Sequence, residues 1–145
     1  MKYMIAIALA LALPACDGGP NSPENQIPNV AGTYVGPLAF TVGGAPAATF
    51  SARMVVVQAG AQVTISTTWT LNGQVIPFAA VTGTVNATGF FTPTSGGGGS
   101  AVDPTCGTIR PLSASTTFSG NTLQYVEQDA TQFCGNWTFS GTLTR

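Results

Sequence analysis

From Val63 to Leu71 the chain alternates two kinds of side chain. Val63, Ile65, Thr67, Trp69 and Leu71 share one parity, and Thr64, Ser66, Thr68 and Thr70 share the other. Successive side chains of an extended strand point to opposite faces, so this stretch has one apolar face and one hydroxyl face. The pattern returns at Trp137, Phe139, Gly141 and Leu143, set against Thr138, Ser140, Thr142 and Thr144. Phe50, Ala52, Met54 and Val56 form a third apolar row, with Arg53 on the opposite side. Threonine suits the wet face of such strands because it is β-branched and still hydrated. No segment after residue 30 carries a convincing helical period.

The turn residues agree. Asn72-Gly73 stands between two alternating runs, and both central positions of a type I′ hairpin turn need positive φ. Gly43-Gly44, Ala59-Gly60 and Ser119-Gly120-Asn121 punctuate other runs. The pattern predicts strands over Gly32–Val42, Ala48–Gln58, Gln62–Leu71, Gln74–Val85, Gly89–Pro93, Gly107–Phe118, Thr122–Asp129 and Gly135–Thr144. The glycine-rich stretch Thr94 to Thr105 lacks a period and reads as a loop.

These short links describe an all-β, antiparallel up-and-down meander of about eight strands. Closing it into a barrel removes exposed strand edges. Only 6% of the residues are charged, against roughly 25% in an ordinary soluble domain, so few charges are at hand to guard an open edge. That favours closure, with a two-sheet β-sandwich as the alternative. A membrane barrel needs outward apolar rows and an aromatic girdle at each interface. The many small polar residues here fit a water-facing wall better.

The start of the chain has a different character. Lys2 is followed by thirteen uncharged residues, Tyr3 to Ala15. A helix of that length spans about 20 Å, short of the roughly 30 Å hydrocarbon core. It fits the apolar region of a secretory signal. Leu13-Pro14-Ala15-Cys16 resembles the lipobox of bacterial lipoproteins, which reads aliphatic, small, small, Cys. Leu13, Ala15 and Cys16 match it and Pro14 departs from it. The resemblance implies cleavage before Cys16, diacylglycerol in thioether linkage to its sulfur, and acylation of the new amino terminus by a chain such as palmitate. Several acyl chains hold a protein firmly where one holds it marginally. A lipid-anchored protein of the bacterial cell envelope is therefore expected, on the periplasmic side or the cell surface. Residues 1–15 are then a lipoprotein signal peptide. Residues 16–29, rich in glycine, proline and polar side chains, are a flexible tether. Residues 30–145 form a single β domain.

The chain has three cysteines. With lipid on Cys16, Cys106 and Cys134 remain as a pair, and an oxidising compartment favours a disulfide between them. Closing that loop is worth about 3.5 kcal/mol on chain-entropy grounds.

Composition excludes several chemistries. Formal net charge is −1 and histidine is absent, so no basic nucleic-acid surface and no histidine-based catalysis is available. Two cysteines without histidine do not make a zinc site. Gly96 to Gly99 lacks the Lys-Ser/Thr of a phosphate-binding loop. Glu127 and Asp129 are two apart on one strand, so they point the same way. Such pairs cleave glycosides or hold calcium in some proteins, but acids at a strand end are ordinarily a solvated rim. We therefore expect no enzyme, no metal and no cofactor.

Ala31-Gly32-Thr33-Tyr34-Val35-Gly36 resembles the Gly-x-aromatic opening of lipocalin and avidin-type barrels, and Gly135-Asn136-Trp137-Thr138-Phe139-Ser140-Gly141 resembles a closing barrel strand. What this implies is a small barrel, with no specific site carried over. Barrels of eight strands hold one small ligand or are filled by their own side chains. Trp69, Tyr125, Glu127, Trp137 and Phe139 are the candidate ligand-binding residues. The expected roles are binding of a small hydrophobic molecule or an envelope partner, or a structural and adhesive one without a ligand.

Overall fold

A computed structural model describes residues 26–96 and 101–145 of the chain. Residues 1–25, on which the expected signal peptide, Cys16 and most of the tether fall, lie outside the described residues, as do residues 97–100 of the glycine-rich stretch.

Ten strands run in chain order: β1 (Gly32–Val42), β2 (Ala45–Ala59), β3 (Gln62–Leu71), β4 (Gln74–Pro77), β5 (Val81–Val85), β6 (Phe90–Ser95), β7 (Ala101–Asp103), β8 (Gly107–Ser119), β9 (Thr122–Thr131) and β10 (Asn136–Thr144). Eight of them, β1, β2, β3, β5, β6, β8, β9 and β10, pair antiparallel in a ring. The first and last close it, with Phe40 opposite Phe139 and Val42 opposite Trp137. The expected barrel is therefore present, and the sandwich is not. β4 and β7 are additions to the wall, paired to β3 and β8.

Two strand expectations need correction. Gln74–Val85 is not one strand. Gln74 to Pro77 turns back on β3 as a hairpin, and the chain then crosses to β5, which pairs β3 farther along. Pro77 offers no backbone N–H to continue a ladder, and the next residue instead donates from its backbone N–H to the Thr67 carbonyl at 3.0 Å. The Thr94–Thr105 stretch is not wholly loop either. Thr94 and Ser95 finish β6, and Ala101–Asp103 pairs with β8.

The turns behave as their residues require. Asn72 and Gly73 have φ of 51° and 80°, the left-handed pair that a type I′ turn demands.

The parity rows face inward as read. Phe50, Ala52, Met54 and Val56 are buried, with Val63, Ile65, Trp69, Phe139 and Leu143. The ends of the barrel differ. One carries the turns at Gly60, Asn86–Gly89 and Gly120-Asn121, together with the entry of the chain and its last residue. Val30 plugs this end: its N–H donates to Gln58 Oε1 at 2.7 Å and its carbonyl accepts from the Tyr34 hydroxyl at 3.0 Å. Gln58 Nε2 donates to the Pro28 carbonyl, and Arg145 donates to the carbonyl of Ala31 and to Asn121. Tyr34, Met54, Val63, Val85, Phe91, Phe118, Leu123 and Leu143 fill the space behind that plug.

Candidate functional site

The opposite end holds the turns at Gly43-Gly44 and Asn72-Gly73 and a set of aromatic rings. β10 and β9 lie side by side in the register Trp137–Asp129, Phe139–Glu127, Gly141–Tyr125 and Leu143–Leu123. Both inward rows are thus fixed by pairing. From β1, Phe40 stacks on Phe139 with centroids 4.6 Å apart and meets Trp137 edge-on at 5.3 Å. From β3, Trp69 lies 4.6 Å from Phe139, 5.4 Å from Phe50 and 6.5 Å from Tyr125. Phe78, just past the break after β4, packs on Trp69 at 4.4 Å. The break that sequence reading missed therefore delivers a ring to this cluster.

All five candidate binding residues meet here. Trp69 and Phe139 are buried, and Tyr125, Glu127 and Trp137 are half-buried. Phe50, from the apolar row of β2, completes the cluster with Phe40 and Phe78, neither of which belongs to a row marked by alternation. Asp129, expected with Glu127 at a solvated rim, does not lie on one. Asp129 shares the parity of Leu123, Tyr125 and Glu127, faces inward beside Trp137, and is only 7% exposed.

The polar groups of this end are poorly matched. The Tyr125 hydroxyl donates to Glu127 Oε2. Burial, with the Glu127 charge and that hydrogen bond adding to it, pushes the Tyr125 phenol far above its ordinary value, so it remains a donor. Burial, followed by the Glu127 charge, pushes the Asp129 carboxyl up to about 6. Among the described residues no neighbouring positive charge counters this: Arg53 points outward on β2, Arg110 is exposed on β8, and Arg145 is engaged at the plugged end. The indole N–H groups of Trp69 and Trp137 are both buried without an acceptor among the described residues. Buried polar groups are ordinarily paired, and an orphan costs about 1–3 kcal/mol.

The cluster is packed ring on ring. Two open depressions, of about 410 and 370 Å³, lie elsewhere: one against Thr108, Arg110 and Ala130, the other against Ile27, Asn29 and Gln58.

Cys106 and Cys134 form the expected disulfide, with Cα atoms 5.0 Å apart, and it ties the start of β8 to the β9–β10 turn. Asp103 caps this corner by accepting from the N–H groups of Thr105 and Cys106 at 2.8 Å each. Among the described residues no cluster of three or more His, Cys, Asp or Glu side chains is placed to hold a metal. No known protein-family model fits the chain, and no curated protein is significantly similar to it.

Proposed function

We propose that this protein is a lipid-anchored component of the bacterial cell envelope whose barrel binds a small hydrophobic molecule or partner and catalyses no reaction. The anchor rests on Leu13-Pro14-Ala15-Cys16 and the apolar run before it. The absence of catalysis rests on a chain without histidine, whose one lysine, Lys2, precedes the cleavage position. One observation carries the binding role. The barrel is plugged at one end by Val30, while the other gathers aromatic rings around two buried indole N–H groups, of Trp69 and Trp137, that find no acceptor among the described residues. A binding end is where such a mismatch is tolerated, because a ligand supplies the missing partners. The plugged end also receives the tether, which leaves the aromatic end free of the anchor.

Organic extraction of protein purified from its native envelope, followed by mass analysis, should yield a small molecule in near-stoichiometric amount. A Trp69→Ala variant that still gives the β-sheet circular dichroism spectrum should lose it. An empty extract from the wild type contradicts the binding role.

A structural or adhesive role without a small ligand is favoured by a different observation. Large apolar side chains stand exposed beside the disulfide, Val102 at 80% and Phe133 at 71%. If they make the essential contact, replacing both with serine abolishes function and leaves any extracted molecule in place.

A further inference from the structure

Asn72 is the one residue other than glycine with a positive φ among the described residues, at 51°. An L-residue rarely takes this left-handed conformation, and the two-residue turn between β3 and β4 imposes it. Asn72 and Gly73 are both exposed, and a Cβ built on Gly73 would meet nothing within 4 Å. Neither the Asn72 side-chain amide nor the Gly73 N–H has a hydrogen-bond partner among the described residues. No side chain or hydrogen bond therefore restrains the Gly73 nitrogen from reaching the Asn72 side-chain carbonyl.

The other asparagines of the described residues are held differently. Asn29 Oδ1 accepts from the Ala31 N–H at 3.1 Å, and the Val30 nitrogen that follows it donates to Gln58. Asn86 Oδ1 accepts from the N–H groups of Thr88 and Phe90. Asn121 Oδ1 accepts from Arg145 at 2.8 Å. Asn136 precedes Trp137, whose backbone is paired to β1 and to β9. Asn72-Gly73 is also the chain's one Asn-Gly step. Ring closure between the Gly73 nitrogen and the Asn72 side chain requires the peptide between them to flip, which converts a type I′ turn into type II′. Asn72 keeps its positive φ in both turns, and Gly73 takes the change of sign without strain. The φ of Asn72 is thus already the one that the ring holds.

We propose that Asn72-Gly73 is a site of spontaneous modification, where the exposed turn converts Asn72 to isoaspartate and aspartate through a cyclic imide. The Gly73 nitrogen gives its proton to solvent and bonds to the Asn72 side-chain carbonyl carbon. The side-chain nitrogen takes a proton from solvent and leaves as ammonia. Water then opens the imide. Breaking the ring nitrogen's bond to the side-chain carbonyl leaves aspartate, and breaking its bond to the main-chain carbonyl leaves isoaspartate. One water is consumed, one ammonia is released and one negative charge is gained, with no change of oxidation state. Aspartate before glycine suits the same turn. Isoaspartate instead adds a methylene to the main chain, so Leu71 and Gln74 no longer oppose each other and the four pairs of β4 lose their closing turn. That hairpin holds Phe78 on Trp69 at 4.4 Å. The modification therefore loosens the aromatic end, whether or not the barrel takes a ligand.

The full-length protein is held folded in mildly alkaline buffer, sampled over days and digested with pepsin, whose acid buffer slows the reaction. Peptide mapping should show the Asn72 peptide converting to isoaspartate and aspartate while Asn29, Asn86, Asn121 and Asn136 stay intact. Exposed turns open at little cost, so conversion should run within about tenfold of its rate in denaturant. Asn72→Gln, which would need a larger ring, should not convert. Protein carrying isoaspartate should exchange its amide hydrogens faster in β4 and at Phe78, and its tryptophan emission should shift. Freshly prepared Asn72→Asp, with the added charge but an ordinary main chain, should match unconverted wild type in both. Conversion confined to the denatured protein, or equal conversion at another of the four asparagines, overturns the site. Isoaspartate-bearing protein that exchanges and emits like Asn72→Asp overturns its link to the aromatic end.

Discussion

Asp129 is a carboxylic acid held in an environment unlike its ordinary one. Its row was readable, since parity places it with Leu123, Tyr125 and Glu127. Its depth was not, because alternation reports which face a side chain takes and nothing about how far the neighbouring strands cover it. The consequence for stability has a definite sign. The folded carboxyl holds its proton up to about pH 6, whereas an unfolded aspartate releases it near about pH 4. Between those values the folded state binds more protons, so stability falls as pH rises through that window. Glu127 and Tyr125 face the same group, and neither brings a positive charge. The carboxyl oxygens are not among the fully buried unpartnered atoms, and solvent screening leaves roughly 1 kcal/mol of the effect. Thermal unfolding followed from pH 4 to 7 should show this decline in the wild type and a flatter line in Asp129→Asn. An equal slope in both proteins would rule out a buried charge at this position.

At the scale of the strand, the sequence was most informative where turn chemistry and parity coincided. β1 and β3 have the bounds that alternation predicted, because Gly43-Gly44 and Asn72-Gly73 end them. The run after Asn72-Gly73 was misread because Ile76, Phe78 and Val81 keep an apolar character through the break at Pro77. The aromatic cluster depends on that break, so part of the candidate site was hidden along with it. Gly141 marks a close approach of β10 to β1. A Cβ there would overlap the Pro37 carbonyl oxygen and the Leu38 side chain. Gly141→Ala should therefore cost about 1–3 kcal/mol in a denaturant titration, and a change within a few tenths would contradict the β1–β10 register. The disulfide acts on the same scale. Cys106→Ser with Cys134→Ser should lower stability by about 2–4 kcal/mol and increase amide exchange in β7 and the β9–β10 turn, while β1–β3 keep their protection. Uniform loosening of all strands would mean that the bridge supports more than its own corner.

For the whole molecule, the local hairpins were legible and the closure was argued only indirectly, from the scarcity of charges at strand edges. The pairing of β1 with β10 joins residues about a hundred positions apart, and no local pattern encodes it. The shortness of the β6–β8 ladder, two residue pairs among the described residues, was invisible for the same reason. With the proposed anchor, the tether enters at the plugged end and the lipid holds the barrel to a membrane. Cys16→Ser should move the protein from the membrane pellet to the soluble fraction with its β-sheet spectrum intact, and a variant that sediments like wild type would contradict the anchor. Export, acylation and formation of the Cys106–Cys134 disulfide all leave their mark on one quantity, the intact mass of protein extracted from membranes. The expected mass is that of a chain beginning at Cys16, heavier by diacylglycerol and an amino-terminal acyl group, and lighter by two hydrogens than its reduced form. An unacylated chain that keeps residues 1–15, or one whose mass does not change on reduction, would contradict it.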